Sequence, residues 1–167
     1  MSKANIEIYA PMHLPAKLAR DAAVGILEDI GARRAPYEHV TLSMGLRDVH
    51  LPLDGAISVP VSAAVEARPM RWECRLQLEA EHNRQLFPRF DGTLTVTPNG
   101  PDESELWLQG GYEPPLGALG AGTDTAMLHG AAEHSLQTFL TWLATEVTRT
   151  VREREHDVAR AVRQGHS

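Results

Sequence analysis

Over residues 70–81 apolar and polar side chains alternate without a break. Met70, Trp72, Cys74, Leu76, Leu78 and Ala80 oppose Arg71, Glu73, Arg75, Gln77, Glu79 and Glu81. Successive side chains of a β-strand point to opposite faces, so this run specifies a strand with one face in a core and one in water. The parity points Cys74 inward. The same period recurs elsewhere. Val40, Leu42, Met44 and Leu46 share a face, as do Ile57, Val59, Val61, Ala63 and Val65. Gly92, Leu94 and Val96 alternate with three threonines, and Leu106, Leu108, Gly110 and Tyr112 alternate with Trp107, Gln109, Gly111 and Glu113. A further strand is expected over residues 6–9, broken by Pro11. The connections are short and rich in turn formers, as in Pro98-Asn99-Gly100-Pro101. Parallel crossovers need a dozen or more residues, so the sheet reads as an antiparallel meander.

Two amphipathic helices complete the pattern. The first starts at Pro15, where a missing N–H costs nothing, carries Leu18, Ala22, Ile26 and Ile30 on one face, and ends at Gly31. The second starts near Thr123 or Asp124, either a suitable N-cap. Its stripe is Leu128, Ala132, Ser135, Phe139, Leu143 and Val147, flanked by Ala131, Leu136 and Leu140. A curved sheet with one apolar face needs a cover, and this is the one element long and apolar enough to supply it. The expected architecture is α+β: a curved antiparallel sheet wrapped around a long C-terminal helix. Residues 1–150 form the domain and 151–167 a polar helical extension, expected to fray, project or form an oligomer contact such as a homodimer.

Composition narrows the function classes. The formal charge is −6, and no basic stripe marks a phosphate-binding face, so nucleic acid is not an expected partner. The arginines near the C-terminus are interleaved with Glu153, Glu155 and Asp157. No run approaches the ~20 apolar residues of a membrane span, so stable membrane insertion is not expected. The single cysteine forms no internal disulfide, and the N-terminus lacks the apolar run of an export signal; both readings favour the cytoplasm.

The run LFPRFDGTLTVTP, the run ELWLQGGYEPPLGALG, the Asp124 to His129 segment D-x-x-x-L-H and Phe139-Leu140 together resemble bacterial members of the START-like superfamily, also called the polyketide cyclase/dehydrase and lipid transport superfamily (SRPBCC). The resemblance covers about residues 1–147 and implies the helix-grip fold. It also implies an apolar cavity under the C-terminal helix, in which family members bind lipids, sterols, polyketides or hormones; a minority are cyclases, aromatases or hydrolases. The chain departs from the family layout in having one longer helix, not two short ones, after the first strand, and six strands, not seven.

Chemistry-bearing motifs are sparse. His129 and Glu133 are spaced i, i+4 on the helix, but the run H-x-x-x-E-H matches no zinc signature, so a surface ion pair is the expected role and no metal is assigned. His82 reads as a loop residue in water, and Cys74 as a buried packing residue. No G-x-S-x-G elbow is present, and Gly117, Gly120 and Gly122 lack the Lys-Ser/Thr of a phosphate loop. No catalytic residue and no cofactor are assigned. The expected ligand-lining residues are Met44, Ala63, Trp72, Leu108, Tyr112, Leu136 and Phe139, with Tyr112 offering one hydrogen bond. With the resemblance, they point to non-enzymatic binding of an apolar small molecule or lipid. Two alternatives stand: an enzyme of the polyketide cyclase or dehydratase type, and a protein-interaction module with a filled core.

Overall fold

The computed structural model describes residues 4–37, 40–45, 56–68, 73–80, 89–113 and 125–165, and of 41–45, 56–68, 125–128 and 131 the backbone alone. In chain order the elements are β1 (Ala4–Met12), α1 (Ala16–Gly31), β2 (Thr41–Gly45), β3 (Ala56–Arg68), β4 (Glu73–Ala80), β5 (Arg89–Pro98), β6 (Ser104–Glu113) and α2 (Thr125–Gln164). The strands form one antiparallel sheet in the order β1-β6-β5-β4-β3-β2. Strands β2 to β6 are a meander, and the N-terminal strand closes it by pairing with β6, Ala4 opposite Tyr112 through Met12 opposite Ser104.

Strand β1 runs through Pro11, where the sequence suggests a break. The reason is directional. The Gln137 side-chain amide donates to the Tyr9 carbonyl (3.2 Å), so the backbone groups of Tyr9 face the open edge of the sheet. Pro11, two residues on, faces the same way, and its missing N–H removes no ladder bond. The buried face of α1 is also rotated from the expected stripe. Ala19, Ala22, Ala23, Ile26, Leu27 and Ile30 are buried, whereas Leu18 is 39% exposed. Gly31 is the last helical residue, and the positive φ after the helix falls at Arg33 (52°).

The alternation in β4 holds: Cys74, Leu76, Leu78 and Ala80 are buried. Register aligns the strands into cross-strand rows. One runs Ile8, Leu108, Leu94, Cys74, Ala67; another runs Ala63, Leu78, Phe90, Tyr112, Ala4. Leu76, Leu94, Leu108, Phe139 and Leu143 belong to one core, as their parity and helix stripe predict. Helix α2 packs chiefly against β1 and β2, the two edge strands, and against α1. A sheet whose opposite edges meet one helix is curved around it. Three buried or half-buried bonds tie α1 and the residue that leads into it to the sheet: the Ser104 hydroxyl donates to the Leu14 carbonyl (2.8 Å), and Arg20 donates twice to the Val96 carbonyl (3.1 and 3.0 Å). Beyond Val151 every described residue of α2 is exposed, so about 20 Å of helix projects past the core. Among the described residues no helix is long and apolar enough to cross a membrane.

Candidate functional site

Tyr112 stands near the end of β6 on its inner face and is 2% exposed. Its hydroxyl is hydrogen-bonded to Nδ1 of His129, which α2 brings over the end of the strand. The two rings lie with centroids 5.5 Å apart, tilted by 40°. The other imidazole nitrogen, Nε2, is 3.9 Å from Oε2 of Glu133, one helical turn further on. The side chains of His129 and Glu133 are 44% and 52% exposed. The three groups therefore form a polar chain leading from solvent to a buried phenol. Burial pushes the Tyr112 phenol above its ordinary pKa and the charge of Glu133 adds to that, so Tyr112 is protonated at neutral pH.

Further along the buried face of α2, Ser135 is fully buried and its hydroxyl has no hydrogen-bond partner among the described residues. Its helix neighbours Ala132, Leu136 and Phe139 are buried and apolar. A buried hydroxyl without a partner costs about 1–3 kcal/mol; among the described residues Trp107 Nε1, on the other face of β6, is likewise buried without one. Ser104, the other buried serine among the described residues, is bonded to Leu14.

Of the expected lining residues, Leu108, Tyr112, Leu136 and Phe139 are buried in the core that joins sheet and helix. Ala63 occupies the same cross-strand row as Tyr112, and Met44 pairs with Ile57 between β2 and β3. Trp72, His82 and the glycines 117, 120 and 122 lie outside the described residues. Cys74 is buried, and that burial pushes its thiol up to about 11, so the nucleophilic thiolate is disfavoured. Among the described residues no three histidine, cysteine or carboxylate side chains group closely enough to hold a metal ion.

A groove of about 990 Å³ opens elsewhere, between the end of β1 and the outer half of α2. Met12, His13, Thr141, Thr145, Arg149 and His156 line it, and none of the expected ligand residues does. Arg149 is committed within it to Glu146 (2.8 Å) and Glu153 (2.7 Å).

The spacing of His129 and Glu133 reveals their pairing, and the parity of β6 reveals that Tyr112 points inward. Their union is not legible in either pattern. It depends on how far α2 slides along its axis over the sheet, which a periodicity does not encode. The one available signal is the coincidence of an inward tyrosine at a strand end with a histidine in the opening turns of the covering helix.

No protein-family model matches the chain, and no curated protein does. Solved structures do. The chain is similar to the Zhui aromatase/cyclase from Streptomyces sp. R1128, with a TM-score of 0.55 and 13% identity over 90% of this chain and 96% of that one. It is similar to a conserved protein from Geobacillus kaustophilus (TM-score 0.53, 14% identity, 88% and 97% covered). It is also similar to norcoclaurine synthase from Thalictrum flavum in complex with dopamine and hydroxybenzaldehyde (TM-score 0.51, 11% identity, 91% and 88% covered). At these identities the likeness is one of fold. With its meander closed by β1 and its sheet gripping α2 at both edges, this chain shares the helix-grip fold of these solved structures.

Proposed function

We propose that the protein holds a small apolar molecule or lipid between the inner face of its sheet and α2, and that it does so without transforming it. The observation that carries this reading is the Ser135 hydroxyl, buried on the apolar face of α2 with no partner among the described residues. Ligand sites are mostly apolar with a few placed polar groups, and an unpaired interior hydroxyl is such a group waiting for its complement. Tyr112 supplies a second polar point on the facing strand. The fold supports the reading, since proteins of similar structure include one solved with two small aromatic molecules bound.

A second reading, an enzyme of the cyclase or dehydratase type, is favoured by the Tyr112–His129–Glu133 chain, which has the composition of a proton path. Native mass spectrometry of protein purified from its own host tests the first reading, with a bound apolar molecule as the expected result. The fluorescent probe 1-anilinonaphthalene-8-sulfonate provides the orthogonal assay. It binds the wild type, and Ala63→Phe, in the row of Tyr112, blocks binding while leaving the fold intact. A ligand-free mass together with no probe binding overturns the proposal and leaves an interaction module with a filled core. Conversion of the co-purified molecule during incubation, lost in His129→Leu, shifts the assignment to the enzyme.

A further inference from the structure

The polar chain at the end of α2 also sets which oxygen chemistry the interior accepts. This inference rests on the reading of the interior as the ligand site. A neutral imidazole carries one ring proton, and its position follows from what each nitrogen faces. Nε2 faces the Glu133 carboxylate at 3.9 Å, and a carboxylate only accepts. That negative charge lies beyond hydrogen-bond reach but favours the tautomer with the proton on Nε2, which leaves Nδ1 as an acceptor. The partner of Nδ1 is the Tyr112 hydroxyl, which in that tautomer is the donor. A phenol has one proton, and Tyr112 spends it outward, on the helix. What remains for the interior is its lone pairs.

We propose that Tyr112 is a dedicated hydrogen-bond acceptor toward the ligand, oriented by His129, and that the protein selects apolar molecules bearing a hydroxyl over the corresponding ketones. A ketone oxygen brings only lone pairs and meets lone pairs at Tyr112. A hydroxyl brings the missing proton. Ser135 does not alter this choice, because its unpaired hydroxyl both donates and accepts and so takes either oxygen. His129 is a positioning residue, since it acts on the ligand only through the direction of the Tyr112 proton. A site built to accept a hydroxyl proton discriminates strongly against an analogue lacking it, because the mismatch leaves buried polar atoms unpaired.

The test measures binding of 1-tetralol and 1-tetralone, which share a skeleton, to the full chain by displacement of 1-anilinonaphthalene-8-sulfonate. The wild type is expected to bind the alcohol at least about tenfold more tightly, a difference of about 1.4 kcal/mol. Tyr112→Phe brings the ratio to about one. His129→Leu frees the tyrosine proton to point inward, and the preference then turns toward the ketone; a purely structural role for His129 weakens both probes together. His129→Gln restores an acceptor for Tyr112 and is expected to retain the alcohol preference, which keeps the test decisive if His129→Leu does not fold. Equal binding of the two probes by the wild type overturns the selection while leaving the ligand site standing. Failure of both probes and of the dye to bind overturns the ligand site and the selection with it.

Discussion

Gly92 of β5 and Gly110 of β6 stand directly opposite each other, and the ring of Phe90 fills the space where a β-carbon on either would lie. A β-carbon on Gly110 would come within 2.5 Å of the Asp91 carbonyl oxygen and of the Gly92 Cα. Both contacts are with backbone, which does not yield as the tip of a side chain does. Gly110→Ala is therefore expected to destabilise the fold by about 1–3 kcal/mol in urea unfolding. Gly100, in the β5–β6 turn, offers an internal control. A β-carbon there meets only the Glu103 Cβ at 3.9 Å, and Gly100→Ala should change stability by less than about 0.5 kcal/mol. Equal effects at the two positions would remove the steric explanation.

Phe139 joins the core from α2, with its ring 5.8 Å from that of Trp142. Truncation to alanine is expected to cost about 3–5 kcal/mol, the range for a buried aromatic. A loss under about 1 kcal/mol would mean that α2 does not seat on the sheet through this residue.

The helix-grip architecture was legible because its signals are local. Perfect alternation in β4 needs no tertiary context to declare which face is buried, and Cys74 follows it. Pro11 misleads for a tertiary reason, since a proline breaks a strand only when its N–H is wanted, and β1 lies at an edge. Leu18 misleads because the α1 stripe at i, i+4 spacing drifts, and the small residues Ala19 and Ala23 occupy the buried side where α1 approaches its neighbours closely. The candidate site was half legible. Its individual members were recognisable by face, but the Tyr112–His129 contact and the unpaired Ser135 hydroxyl depend on packing offsets with no periodic trace.

Glu146 should carry a measurable part of the acid sensitivity. Its carboxylate accepts from Arg149 (2.8 Å) and from the Tyr37 hydroxyl (3.1 Å), and the Arg149 bonds, more than Tyr37, hold its pKa below the ordinary glutamate value. A lowered folded-state pKa contributes stability above the unfolded value and loses it as the pH falls through the folded one. Glu146→Gln is therefore expected to be less stable than wild type at pH 7, with the difference shrinking in acid. Parallel urea midpoints for the two proteins from pH 7 to pH 3 would contradict this.

Removal of residues 152–167 should leave the fold intact. Val151 is the last buried residue of α2, and 152–165 are exposed throughout. The deletion breaks the Arg149–Glu153 pair, an exposed ion pair worth at most about 1 kcal/mol. Far-UV circular dichroism and a cooperative thermal transition check the outcome. A non-cooperative transition would assign the overhang a packing partner.

The pairing of β1 with β6 has a consequence for how the molecule is made. Strand β1 is translated before the other strands described, yet its ladder partner β6 is separated from it by most of the meander. At typical synthesis rates the nascent chain waits about 5–20 s before Ser104–Glu113 arrives. During that interval Ile6, Ile8 and Met12, buried in the finished fold, have nothing to pack against in the completed sheet. The N-terminal strand is thus a latecomer to its own structure, and the growing chain must be kept from self-association until β6 has been translated.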